Sequence, residues 1–274
     1  MDVTSGGCRI WYESRGQGAP VLFIQGVGVC GQGWEPQLDI LSAFFECAWF
    51  DNRGMGRSEA GRDRITVDLL AGDALAVMDG LGWPSAHLVG HSLGGLIALA
   101  TALQARQRVR SLSLLCTFAD GAEPTRLSWP LLRIGIRTRI GTLAARRRAF
   151  LELLLTPQAH KSCDHARLAA ELEPLFGHDL GTQPPVAMQQ LFAMKGYSLS
   201  SRLGDLHAVP SLIVSAQYDL IARPRAGKAI AAGIPNSRYI EIEDAAHGLP
   251  LTHPALTNTM LRRHIDGAEF TWCP

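Results

Sequence analysis

The sequence contains no C-x-x-C pair, no run of about 18 uninterrupted apolar residues, no internal repeat and no low-complexity tract. It also has little net charge. Each absence removes a class of function. With no long apolar run there is no candidate for a bilayer-spanning helix. A formal net charge of +1 gives no basic field to draw the chain to nucleic acid or an anionic membrane surface, so neither partner is expected. The opening MDVTSGGCRIWYE lacks the basic start and apolar core of a secretory signal, which predicts a cytoplasmic protein. The six cysteines (Cys8, Cys30, Cys47, Cys116, Cys163, Cys273) are scattered, and Cys47 and Cys116 sit in apolar runs. They are expected to be free, mostly buried thiols, with no metal and no cofactor.

What is present is an ordinary globular composition, 47% hydrophobic and 19% charged over 274 residues. That length suits one large domain with an insertion. Short apolar runs alternate with amphipathic stretches as parallel βα units do, which predicts an α/β fold. The expected strands are CRIWYE, PVLFIQ, ECAWFD, AHLVGH, VRSLSLLC, PSLIVSA and RYIEIE. Among the helical stretches, VDLLAGDALAVMDGLG carries Leu70, Ala74, Val77, Met78 and Leu81 on one stripe, with Gly80 and Gly82 suited to its end. Between about Ala119 and His207 the strand pattern stops and helical periods dominate. Core residues 1–118 and 209–274 are therefore expected to be interrupted by a helical insertion, 119–208, lying over the C-terminal strand edge.

The strongest local signal is Gly90-His91-Ser92-Leu93-Gly94-Gly95, between the strand AHLV and the helical run LIALATALQA. G-x-S-x-G in that context places a serine on a strained turn with its hydroxyl exposed and a helix N-terminus aimed at developing negative charge. A serine hydroxyl is a weak nucleophile and needs a base. His247, in the loop DAAHGLPLTHP after the last strand, is the expected base. His91 is expected to point away from Ser92, and His253 to lie at the surface. The base needs a carboxylate partner, for which Asp219 in SAQYDLIARP is favoured over Asp120. The backbone amides of Leu93 and Val27, the latter in Gln25-Gly26-Val27-Gly28, are the expected oxyanion donors.

Taken in order, the QGVG turn, Trp34, the turn Asp51-Asn52-Arg53-Gly54-Met55-Gly56-Arg57-Ser58, the GHSLGG elbow, YDLIARP and AHGLPLTHP resemble the α/β-hydrolase family, within the lidded esterase, enol-lactonase and methylesterase group. The resemblance covers 21–120 and 210–264. It implies an α/β-hydrolase fold: a mostly parallel central sheet flanked by helices, with a helical lid insertion and the nucleophile–acid–base order Ser92, Asp219, His247. It also implies that the 51–58 turn braces the site floor rather than reacting. Ser92 argues against the similar haloalkane dehalogenases and epoxide hydrolases, which attack with aspartate. Ring-cleavage carbon–carbon hydrolases usually carry Asn and Trp where His91 and Gly248 stand here. Gln25 departs from the family's usual histidine, which leaves the side-chain hydrogen bonds of that turn open.

The expected activity is hydrolysis of a small-molecule carboxylic ester or lactone through an acyl-enzyme. Carbon–carbon, thioester or amide hydrolysis, perhydrolysis, and ligand sensing without turnover are the alternatives. Phe118 leads the pocket candidates, followed by Trp129, Met188, Leu191, Phe192, Met194 and Tyr197. Residues 124–151 carry seven arginines (Arg126, Arg133, Arg137, Arg139, Arg146, Arg147, Arg148) and no acid or lysine. They read as a solvated face whose stems cover apolar surface, with an anion-recruiting patch as the alternative.

Overall fold

The computed structural model describes residues 1–123 and 129–269; Arg126 and Cys273 lie outside them. Apolar runs that do not alternate need cover on both faces, and the strands receive it. They are β1 (Asp2–Ser5), β2 (Cys8–Arg15), β3 (Ala19–Ile24), β4 (Phe45–Phe50), β5 (Ala86–His91), β6 (Val109–Leu115), β7 (Ser211–Ala216) and β8 (Arg238–Ile242). Their spatial order is β1-β2-β4-β3-β5-β6-β7-β8. Strand β2 runs antiparallel to both neighbours, and the remaining adjacent pairs are parallel. All seven expected strands are present. Strand β1 was not expected: it is a short polar edge strand with no fully buried residue, so it leaves no hydrophobic signature.

The helices are α1 (Glu35–Leu41), α2 (Val67–Gly80), α3 (Leu93–Gln104), α4 (Trp129–Arg137), α5 (Leu143–Leu154), α6 (Pro157–Ser162), α7 (His165–Phe176), α8 (Val186–Met194), α9 (Pro224–Gly233), α10 (Leu249–Thr252) and α11 (Pro254–Glu269). The period of two along β3 divides the core. Val21 and Phe23 pack with Leu38 and Leu41 of α1 and Leu261 and Ile265 of α11. Leu22 and Ile24 face α2, α3 and α9 on the other side. Each fully buried side chain of this size contributes about 1.5–3 kcal/mol of transfer free energy. Helix α2 behaves as its stripe predicts: Leu70, Ala74, Val77 and Met78 are buried, and Thr66 accepts the Leu69 amide at the N-terminus. Cys8, Cys30, Cys47 and Cys116 are free and buried, and Cys163 is free and half-buried.

Helices α4–α8 lie between β6 and β7. The chain enters and leaves this segment through one neck, where Asp120 pairs antiparallel with Ser198. The Leu199 amide donates to the Ala119 carbonyl and the Gly121 amide to Tyr197, each at 2.8 Å. Leu151, Leu154, Ala169, Leu172, Phe176 and Leu180 form a separate apolar cluster that also takes in Val29 of the core. Among the described residues no helix is long and apolar enough to cross a membrane.

Candidate active site

The turn from β5 into α3 is possible only with glycine at its close contacts. A β-carbon on Gly94 would lie 2.0 Å from the Ile24 carbonyl oxygen, and one on Gly90 would lie 2.3 Å from that of Gly94. Between them Ser92 adopts φ 56° and ψ −122°, a left-handed conformation that costs a non-glycine residue on the order of 1–3 kcal/mol. Its backbone is pinned on both sides: its amide donates to Leu115 at 3.0 Å, and Thr117 Oγ1 donates to its carbonyl at 2.6 Å.

The Ser92 hydroxyl faces Nε2 of His247 at 3.0 Å, and His247 Nδ1 faces Asp219 Oδ2 at 2.7 Å. All three residues are buried. Because a carboxylate only accepts, Nδ1 carries the proton and Nε2 is left to accept from the serine. The other oxygen of Asp219 accepts the Ile221 and Ala222 amides, both at 2.8 Å. Asp120 is spent elsewhere, accepting the Ala122 amide at the neck. Cys116, with φ 47°, sits beside Asp219; burial and that neighbouring negative charge hold its thiol well above the usual range, so it stays protonated.

The turn after β3 abuts the serine. A β-carbon on Gly26 would lie 3.0 Å from that of Ser92. Gln25 folds back on its own turn, with Oε1 accepting the Gly26 amide at 3.2 Å, while Asn52 Nδ2 donates to the Gln25 carbonyl at 2.9 Å. The far side of the turn is held by the helical segment. Gln190 Oε1 accepts the Gly28 amide at 2.9 Å, and His178 Nε2 reaches the Gly28 carbonyl at 2.7 Å. Among the described residues, the amides of Val27 and Leu93 take no part in the hydrogen bonds of the turns, caps and loops. Sequence reasoning missed Gln190 and His178, since no motif ties them to a turn more than 140 positions away.

The 51–58 turn is built as a brace. Asp51 accepts the Gly31 amide at 2.7 Å and the Arg57 amide at 2.9 Å, and Ser58 Oγ donates to the Asp51 carbonyl at 2.6 Å. Burial still pushes the Asp51 carboxyl up from its ordinary value.

A cavity of about 740 Å³ opens where the strand ends meet the helical segment, reaching Ser92, His247 and Val27. Phe118, Met188, Leu191, Phe192 and Met194 line it. Trp129 does not: it is 84% exposed. Leu131 and Gly135 turn the cavity-facing side of α4 inward, and Trp129, two residues before Leu131, falls about 200° round the helix. Tyr197 is instead at the neck, donating to Asp68 at 2.6 Å. His91 is also a correction. It faces the same cavity as Ser92, with its ring 4.8 Å from that of His247, because the left-handed turn at Ser92 breaks the strand's alternation of side chains.

Three arginines of the arginine-rich stretch are held in local ion pairs. Arg133 and Arg137 meet Glu152 at 3.0 and 2.7 Å, and Arg147 meets Asp179. Arg139 lines the cavity and contacts Met188 Sδ at 2.8 Å. Among the described residues no three His, Cys, Asp or Glu side chains gather as a metal site requires.

The chain compares well with known proteins over nearly its whole length. It is 30% identical over 259 residues to RutD of Azorhizobium caulinodans, provisionally named a carbamate hydrolase, covering 93% of this chain and 94% of that one. Its fold superimposes on the enol-lactonase from Burkholderia xenovorans LB400 with a TM-score of 0.82 at 25% identity, covering 97% and 100% of the two chains. A thermophilic esterase from Thermogutta terrifontis shares the fold, with a TM-score of 0.78, 24% identity and 98% of each chain covered. Residues 19–254 match the family model described as the alpha/beta hydrolase fold. With the eight-stranded sheet, the glycine-walled turn at Ser92 and this match in agreement, the chain belongs to the alpha/beta hydrolase fold family.

Proposed function

We propose that the protein is a serine hydrolase that cleaves a carboxylic ester or lactone through an acyl-enzyme, with Ser92 as nucleophile, His247 as general base and Asp219 as its orienting carboxylate. The observation that carries this reading is the continuous hydrogen-bonded line from Ser92 Oγ through both nitrogens of His247 to Asp219.

In this mechanism Ser92 Oγ bonds to the substrate carbonyl carbon as its proton passes to His247 Nε2. The carbonyl π electrons move to oxygen, where the amides of Val27 and Leu93 receive the charge; each donor is worth about 3 kcal/mol in the transition state. Collapse breaks the bond to the leaving oxygen, which takes the proton from His247. Water, deprotonated by His247, then attacks the acyl carbon, Ser92 regains its proton and the acid departs. Asp219 fixes the tautomer and stabilises the imidazolium throughout.

The substrate's apolar portion would occupy the cavity beside Phe118, Met188 and Phe192. In this reading α4–α8 act as the lid, 119–208, over a core of 1–118 and 209–274. The names of the carbamate hydrolase and enol-lactonase relatives are consistent with a polarised carbonyl as the target.

The decisive experiment treats the protein with a fluorophosphonate and locates the adduct by mass spectrometry, then assays esters of graded acyl length, lactones, aryl esters and a carbamate. An adduct on Ser92, and loss of at least about 10³-fold activity in Ser92→Ala, are expected. Tight ligand binding without turnover would instead indicate a sensor.

A further inference from the structure

We propose that His91 is a positioning residue for His247: its ring nitrogen fixes the backbone of the general base at a set distance from the nucleophile next to it in sequence. The inference rests on the reading of Ser92, His247 and Asp219 as a working triad.

His91 Nε2 lies 2.8 Å from the His247 carbonyl oxygen. A carbonyl only accepts, so this nitrogen carries the proton and donates. The two imidazole rings lie 4.8 Å apart at 45°, and the rings of Trp34 and His91 meet edge-on at 6.4 Å. His91 thus packs with both an indole and the catalytic imidazole, and its backbone is continuous with Ser92. The remaining supports of the base loop come from elsewhere: Ala245 is held by the Tyr218 amide at 2.9 Å, and the Gly248 amide donates to Leu154 at 3.0 Å. Among the described residues, the His91 contact is the one that ties the His247 backbone to the nucleophile's own strand.

The donor must also persist at working pH. Burial, reinforced by the neighbouring His247, lowers the His91 pKa to about 3, so the ring stays neutral and adds no competing charge when His247 becomes imidazolium. The groups facing the base are Ser92, Asp219 and His91, with the Cys116 thiol behind Asp219. An error of about 1 Å in such an arrangement costs on the order of 10²-fold in rate.

The test separates the donor from the ring. His91→Phe keeps a planar ring without the donor; His91→Gln keeps an amide donor without the ring. The readout is the second-order rate of Ser92 modification by a fluorophosphonate, in which the Oγ–P bond forms, P–F breaks, fluoride leaves and His247 takes the proton. It needs no knowledge of the substrate. His91→Phe is expected to react about 10- to 100-fold more slowly than the parent, with its acidic limb displaced, and His91→Gln within about 3-fold of the parent. A Phe variant that matches the parent in rate and pH profile, or a folded Gln variant as slow as Phe, overturns the proposal. Failure of the parent itself to react at Ser92 would instead overturn the triad.

Discussion

Arg53 and Asp73 meet as a two-pronged ion pair, 2.6 and 3.0 Å across, with neither side chain exposed to solvent. The pair joins the brace turn to the middle of α2, and through Asn52 that turn holds the carbonyl of Gln25. Removing one partner leaves a buried charge uncompensated, which costs about 3–5 kcal/mol. Asp73→Asn should therefore lower the melting temperature by roughly ten degrees for a chain of this size. The double variant Arg53→Met, Asp73→Leu should melt above either single one. If it melts lower than both, the penalty comes from lost packing rather than an orphaned charge.

Asp219→Asn should leave the protein folded while reducing kcat about 10³- to 10⁴-fold, because an amide favours the wrong tautomer of the histidine. Asp120→Asn should stay near parental activity, since that carboxylate serves the neck. Steady-state kinetics on the two variants decide the matter, and the reverse ranking would displace Asp219.

Acid should weaken the fold as the pH falls through the ordinary histidine range. Burial lowers the pKa values of His87, His91 and His264 from the ordinary 6.5. A group depressed in the folded state binds its proton first in the unfolded chain, so this stability is complete above about pH 6.5 and is lost as pH falls. Each such histidine contributes a slope of up to about 1.4 kcal/mol per pH unit. Denaturant midpoints at pH 7, 6 and 5 should decline steadily, and His91→Gln should flatten the decline by about one proton. A flat series would contradict the burial of these rings.

Two glycines make a matched comparison. Gly94→Ala would drive a β-carbon against the Ile24 backbone, so it should destabilise the protein by at least about 1–3 kcal/mol and suppress reaction at Ser92. Gly72→Ala, within α2 and with nothing in 4 Å of the added carbon, should stabilise by roughly 0.5–1 kcal/mol. Equal effects from both would mean that the turn is not sterically closed.

Much of the sheet was legible because β3, β5 and β7 are mainly apolar runs, and the Ser92 turn because steric closure leaves a glycine signature. Strand β1 was not, since Asp2–Ser5 buries too little to leave a pattern. His91 was misplaced because side-chain alternation is a property of regular strands and fails where φ turns positive at Ser92. Trp129 illustrates a different limit: an aromatic residue on an amphipathic helix does not say which of two sides will be covered. Gln190 and His178 depend on how the helical segment settles on the core, and contacts at such separations carry no local pattern.

The neck at Asp120 and Ser198 has a consequence for how such a protein diversifies. Because departure and return are side by side, the intervening helices form a cassette whose exchange leaves the strand order undisturbed. A transplanted cassette would bring a new set of cavity walls in a single event. It would also remove Gln190 and His178, the two outside supports of Gly28. Chimeras should therefore inherit a donor's substrate preference readily and its turnover poorly, until replacements for those two contacts are supplied.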